Sequence, residues 1–222
     1  MGMTTTLPAD PTLDEIRDAL APLVADNAAF DGWKATARDM AADQLGIDRD
    51  VALLALPDAT AMIDAWFASI DRLMVEKLPP ETLGKMKVRE KIAALVEARL
   101  DLLAAHRETL RRALAILALP TNVAHGARLG WRAADLMWRA AGDTATDYNH
   151  YTKRAMLGAV YAATMTVFLD DDSEGQADTR AFLARRIEGI MRFEKAKAQF
   201  LGRIEHRPSL SRFIGRLRYP AV

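Results

Sequence analysis

Apolar residues recur along this chain at intervals of three and four, and no stretch sustains the alternation with period two that marks a strand. The pattern predicts a first helix from Leu13 to Ala29, interrupted or kinked at Pro22, because proline removes an amide donor and crowds the preceding turn. A second helix is expected from Lys34 to Leu45, closed by Gly46, and a short third one capped by Asp48 and ending before Pro57. Asp58 is placed to cap a long fourth helix, in which Ile63, Trp66, Phe67, Ile70, Leu73 and Met74 form one apolar stripe. Pro79-Pro80 stops it, and the segment from Leu78 to Gly84 is the natural interior boundary.

Beyond that boundary, Val88, Ile92, Leu95, Leu102 and Leu103 mark a fifth helix, and Leu110 to Leu119 a sixth ending at Pro120. Asn122 to Ala141 read as a seventh, and the eighth runs from about Thr146 to Leu169. Asp170-Asp171-Asp172 breaks the pattern. Ser173 to Gln176 matches a capping box opening a ninth helix to about Phe200, and a tenth is possible after Pro208. The predicted class is all-α, with nine to ten helices. Its expected organisation is a helix-turn-helix-like subdomain over residues 10–80, a larger helical body over 81–200, and a tail over 201–222.

Composition narrows the chemistry. Half of the 222 residues are apolar and 27% are charged, so the chain is expected to fold around a substantial core. It has no cysteine, which excludes disulfides, thiolate metal sites and cysteine nucleophiles. The four histidines, His106, His125, His150 and His206, are too dispersed for a metal-ligand spacing, so no metal is expected. The acidic run DDDSEGQADTRA has calcium-loop spacing at Asp170, Asp172 and Glu174, yet its twelfth position is Ala181 where a bidentate glutamate belongs. It reads as a solvated turn. Neither a nucleophile elbow nor a glycine-rich phosphate loop is present, and no residue nominates itself as a catalyst by spacing, which leaves catalysis open.

Charge is balanced overall but unevenly spread. From Arg185 to Val222 there are ten basic residues against three acidic ones, a net of +7, so the preceding residues carry −7. A basic end on an acidic body suits an anionic partner. Three short helices ahead of a helical body are also the layout of a one-component transcription regulator. A DNA-reading helix pair must neutralise phosphates. Between Asp31 and Asp58, however, six acidic residues outnumber three basic ones, so nucleic acid is not an expected partner. The start, MGMTTTLPADPTLDE, lacks the basic and apolar regions of a secretory signal. The longest uncharged run near the core, Ala155 to Leu169, is 15 residues, short of a membrane span. After Pro208, Leu210, Phe213, Ile214 and Leu217 fall at helical spacing, with Arg212 and Arg216 off that face. This pattern fits a last helix docked on its own domain. It equally fits an amphipathic segment lying in a membrane interface.

The stretch Gly142 to Tyr161, GDTATDYNHYTKRAMLGAVY, sets aromatics and both signs of charge at the start of an apolar helix. Asp147 is placed to cap that helix, and Tyr148, Tyr151 and the upstream Trp138 beside Arg154 have the composition of an interaction hot spot. Further along, Gly158, Ala159, Ala162 and Ala163 either leave internal volume or permit tight helix packing.

The runs MWRAAGDTATD (137–147) and NHYTKRAML (149–157), with LPTN (119–122) and FDGW (30–33), resemble the accessory lipid-binding protein family of ubiquinone biosynthesis, found in mitochondria and related bacteria. The resemblance extends over roughly Leu13 to Phe200. It implies a fold like that of TetR-type regulators, a homodimer, and a non-enzymatic protein without cofactor. Such a protein binds an isoprenoid quinone or a phospholipid and presents late intermediates to a pathway hydroxylase. It further implies a cytoplasmic protein held peripherally at the inner membrane. By the same resemblance, the partner patch of the mitochondrial relatives maps onto Asp135, Met137, Trp138, Asp147, Tyr151 and Arg154, with His150 where those relatives have tryptophan. The alternative reading is a ligand-responsive TetR-type regulator.

Each basic residue near an anionic surface is worth about 1 kcal/mol, and each large apolar side chain at most about 1.5–3 kcal/mol, so a tail of this kind supports reversible attachment. Deleting Ser209 to Val222 is therefore expected to lower co-sedimentation with liposomes, most for anionic lipids at low salt. Equal sedimentation of the shortened chain would remove the membrane role.

Overall fold

The computed structural model describes residues 7–144 and 148–205. Among them the regular structure is entirely helical: α1 (Leu13–Asp31), α2 (Ala35–Leu45), α3 (Arg49–Ala55), α4 (Ala59–Lys77), α5 (Pro80–Leu83), α6 (Val88–Leu103), α7 (Arg107–Leu117), α8 (Val123–Ala140), α9 (Tyr148–Leu169) and α10 (Ala177–Glu205). Single 3-10 turns precede α7 and α10.

α1 opens on a capping box, in which the Glu15 carboxylate accepts from the Thr12 amide (2.8 Å) and the Thr12 hydroxyl accepts from the Glu15 amide (3.3 Å). The expected break at Pro22 does not occur: the helix runs through it to Asp31. Pro22 and Asp18, whose carbonyl would have received the missing amide, both lie on the exposed side, where solvent replaces the lost bond. The buried face, Ile16, Leu20 and Val24 among others, makes α1 the central rod against which α2, α3, α4 and α7 pack.

The short helices end where the sequence says they should. Gly46 takes a left-handed conformation (φ 67°) that closes α2, and Asp48 caps α3 by accepting from the Asp50 amide at 2.8 Å. Asp58 caps α4 through the Ala61 amide, also at 2.8 Å. On α4 the stripe Ile63, Trp66, Phe67, Ile70 and Met74 is buried, but Leu73 lies at its rim and is exposed. Trp66 is the hub of this core, with Trp33 at 5.4 Å and Phe67 at 5.2 Å between ring centroids. The Trp33 indole donates to the Thr109 carbonyl at 3.2 Å, and the Thr109 hydroxyl to the Ala25 carbonyl at 2.9 Å, binding α1 to α7.

The boundary at 78–84 contains an unexpected helical turn, α5, opened by Pro80 and pinned by buried Leu83. α6 passes into α7 through the 3-10 turn Ala104–His106, where the backbone of His106 leaves helical geometry (φ −121°, ψ 31°). α8 and α9 form an antiparallel pair. A Cβ built on Gly126 would meet Leu117 at 3.3 Å, so that glycine lets α7 and α8 approach closely. No single helix among the described residues is long and apolar enough to cross a membrane. The bent pair α3–α4 passes that test by length and composition, but α4 buries its apolar stripe in the core.

The junction of α9 and α10 differs from the expected capping box. Ser173 forms no box with Gln176; its hydroxyl accepts from the Asp178 amide at 3.1 Å, and buried Asp171 shares the capping role. Its carboxylate accepts from the Ser173 amide (2.9 Å) and hydroxyl (2.5 Å), and from the Thr179 amide (2.8 Å) and hydroxyl (2.5 Å). Arg107 and Arg111 hold the Asp171 and Leu169 carbonyls, at 2.6 and 2.9 Å. The acidic run is thus a helix junction.

The hydrogen bonds from Ser173 and Thr179 hold the Asp171 carboxyl far below the usual carboxylate range. A folded-state value below the unfolded one stabilises above the unfolded value and loses that contribution as pH falls. Wild-type stability is therefore expected to drop as pH is lowered through about 4 and below. Asp171→Ala is expected to lose about 3 kcal/mol at neutral pH in urea unfolding and to flatten that acid limb.

Candidate functional site

Between α4, α6, α7, α8 and α9 lies a cavity of about 440 Å³, within the range that accepts drug-sized ligands. Leu114, Leu117, Val123, Leu129, Ala133 and Met165 make much of its wall apolar. Liners that are themselves exposed, Val123, Ala127, Trp131, Ala155 and Ala162, mark a mouth on the α8–α9 face. Phe67, Arg99 and Tyr161, all buried, mark its closed side.

Small residues shape this space, as the reading of internal volume expected. Gly158 and Ala162 line the cavity, whereas Ala159 and Ala163 face outward. A Cβ on Gly158 would lie 3.8 Å from the Gly130 carbonyl, an ordinary contact, so α8 and α9 leave room there for a side chain of alanine size.

The closed side carries a buried polar network. Arg99, only 2% exposed, donates from Nη1 to the Asp71 carboxylate and from Nε to the Tyr161 hydroxyl oxygen at 2.6 Å. Its guanidinium sits 5.7 Å from the Phe67 ring centre and 5.4 Å from that of Tyr161. Arg132 on α8 donates to the other Asp71 oxygen at 3.2 Å and to the Asp64 carboxylate. Sequence reasoning missed these residues, though a signal existed. Asp71 and Arg99 each fall inside the apolar stripe of a helix, where a charge needs a partner of opposite sign.

The second cluster holds α8 against the start of α9. Arg154, also 2% exposed, donates to Asp135 (2.5 Å), Asp143 (3.0 Å) and the His150 carbonyl (3.1 Å). Lys153 reaches Asp143 at 2.7 Å, and Arg139 reaches Asp135 at 2.8 Å. The Trp138 indole donates to the Lys153 carbonyl at 3.0 Å, with the Lys153 ammonium 5.3 Å from the ring centre. Burial pushes the Asp143 carboxyl up, but the bonds and charges of Lys153 and Arg154 outweigh it and hold it below its ordinary range. Burial likewise favours neutral Arg154, yet Asp135 and Asp143 raise its pKa above normal.

The residues mapped as a partner patch therefore divide. Met137, Trp138 and Arg154 are buried, and Asp135 is half-buried as the counterion of Arg154 and Arg139. Tyr151 is 61% exposed, with the His150 ring edge-on at 5.1 Å and the Trp131 ring at 6.1 Å. Trp131, 37% exposed, was not anticipated and joins this aromatic face to the cavity mouth. Asp147, and the tail residues Leu210, Arg212, Phe213, Ile214, Arg216 and Leu217, lie outside the described residues. Among the described residues no group of His, Asp and Glu is placed to hold a metal ion. In the helix-turn-helix-like segment, Arg38 is buried and bonded to Asp39 (2.8 Å), and Arg49 is bidentate to Asp43 (3.0 and 2.7 Å).

Much of the mouth and both walls of the second cluster fall within residues 123–194, which match the family model described as COQ9. Over residues 123–194 the chain resembles the COQ9 family, and it is similar to the mitochondrial COQ9 proteins. It is 35% identical over 167 residues to "Ubiquinone biosynthesis protein COQ9, mitochondrial" of Homo sapiens, covering 72% of this chain and 52% of that one. The Drosophila melanogaster protein of the same description is 25% identical over 209 residues, 90% of this chain and 64% of that one. The chain thus spans about half the length of the human COQ9 protein it matches. The fold is that of a TetR transcriptional regulator from Nitrosomonas europaea, with a TM-score of 0.63 over 78% of this chain and 96% of that one, at 22% identity. This likeness concerns the backbone alone. The resemblance read from residues 137–157 falls inside the COQ9-matched region.

Arg154 is embedded between two carboxylates, so its removal leaves Asp135 with Arg139 alone and Asp143 with Lys153 alone as counterion. Arg154→Met is expected to cost about 2–3 kcal/mol in urea unfolding, from the charged hydrogen bonds it loses. Tyr151→Ala, at an exposed site, is expected to stay within about 0.5 kcal/mol of wild type.

Proposed function

We propose that this chain acts in ubiquinone biosynthesis as a non-enzymatic lipid-binding protein, presenting polyprenyl quinone intermediates to a pathway hydroxylase at the membrane surface. The observation that carries this reading is the apolar cavity opening on α8–α9 inside the COQ9-matched region. A phospholipid is the other occupant of the same chemistry. The place in the pathway comes from the relatives' descriptions as ubiquinone biosynthesis proteins.

Geometry supports a division of labour around the mouth. The exposed aromatics Tyr151 and Trp131, with His150 beside them, offer large contact area next to the opening, as a docking surface for the hydroxylase requires. The buried Asp135, Asp143 and Arg154 cluster holds those rings in register by clamping α9 to α8. A partner seated there receives a lipid without passing it through water. The basic tail supplies reversible membrane attachment, and the protein works as a homodimer, cytoplasmic and peripheral to the inner membrane. A DNA-binding role finds less support, since Arg38 and Arg49 are already engaged with neighbouring carboxylates.

Native mass spectrometry of the purified protein is expected to reveal a bound isoprenoid or phospholipid, and Ala162→Phe at the mouth to abolish it. Tyr151→Ala is expected to leave lipid content intact while hydroxylated quinone falls several-fold in cells. Lipid-free wild-type protein would sink the carrier reading, and an unaltered quinone profile would remove the docking face.

A further inference from the structure

The cavity wall is almost wholly apolar except where Arg99 and Tyr161 meet on its closed side and Arg154 lines it elsewhere. Arg154 is engaged with Asp135 and Asp143. Tyr161 is in a different position. Its hydroxyl oxygen accepts from Arg99 Nε at 2.6 Å, which leaves the phenolic proton as the group's remaining bonding capacity. A hydroxyl that already accepts from a cation donates more strongly in its turn, because the bonds polarise one another.

We infer that Tyr161, oriented by Arg99, is the hydrogen-bond donor that reads a ring oxygen at the closed end of this cavity, so that the lipid enters ring first. The proposal rests on the lipid-carrier reading and adds to it the chemistry of recognition. Charge decides which oxygen fits. Arg99 and Arg132 are matched by Asp71 and Asp64, so the network at the closed end is neutral before any ligand arrives. An anionic phosphate or carboxylate head would add an unmatched buried charge, at a cost that a neutral carbonyl or phenol avoids. Phe67 and Tyr161 also line the cavity there, so the surroundings of that oxygen are aromatic and suit a quinone-like head group. The exposed liners Ala155, Ala162 and Val123 make the mouth apolar, which suits the prenyl tail. Tyr161 is a positioning and recognition residue here, without part in any bond breaking.

The test uses the whole chain and two probes, a dimethoxy-methyl benzoquinone bearing one prenyl unit and the isoprenoid hydrocarbon farnesene, which has no oxygen. Tyr161→Phe is expected to weaken the quinone about tenfold and to leave farnesene unchanged, the hydrocarbon also reporting that the pocket is intact. Equal effects on both probes, or no effect on either, would overturn the inference while the carrier reading stands. Wild-type protein that binds neither probe would overturn both. Should the variant not fold, the infrared carbonyl stretch of the quinone on wild-type protein decides. A shift to lower frequency supports the bond, and an unshifted band refutes it.

Discussion

The fold is organised around a guanidinium placed where water does not reach. Arg99 stands in the apolar face of α6, and an unpaired charge there would cost several kcal/mol. Asp71 of α4 neutralises it, Arg132 of α8 shares that carboxylate, and Tyr161 of α9 accepts from its other edge. Four helices are thereby registered against one another by bonds with direction, which apolar packing alone does not supply. The same network forms the closed side of the cavity, so the interior space and its polar floor have a common cause.

At the other end of α9 a second set of charges does related work near the surface. Arg154 is buried by α8 and satisfied by Asp135, Asp143 and the His150 carbonyl. This fixes the first turns of α9, and with them the outward pose of Tyr151 beside Trp131. A residue that looks in the sequence like a surface contact is thus a support, and the surface it supports is aromatic. The COQ9-matched region contains this clamp and the α8–α9 side of the mouth, whereas Phe67, Asp71 and Arg99 come from helices before it. The site is therefore assembled across the matched boundary.

Likeness to a TetR regulator coexists with an N-terminal segment poorly equipped for phosphates. In α2 and α3, Arg38 turns inward and Arg49 is held by Asp43, while the apolar Leu53 and Leu54 of α3 are exposed. A shared backbone constrains where helices run and says little about the charges placed on them. This distinction separates the regulator reading from the carrier reading, and it was already visible in the excess of aspartate between residues 31 and 58.

Periodicity and punctuation in the sequence were enough to determine the all-helical class, the capped starts of α3 and α4, and the stops at Gly46 and Pro79-Pro80, because each rests on neighbours within one helical turn. The motifs of residues 137–157 likewise carried the family resemblance unaided. Tertiary structure decided the rest. Pro22 stays helical because its side of α1 faces solvent. Asp171 joins Ser173 in capping the last junction because the hydroxyls of Ser173 and Thr179 converge on its carboxylate. The partners of Asp71 and Arg99 lie 28 to 62 positions apart in the chain, and no local period reports such a pairing. Which small residues of α9 line a cavity and which face outward depends on what stands opposite, and only the packed molecule contains that information.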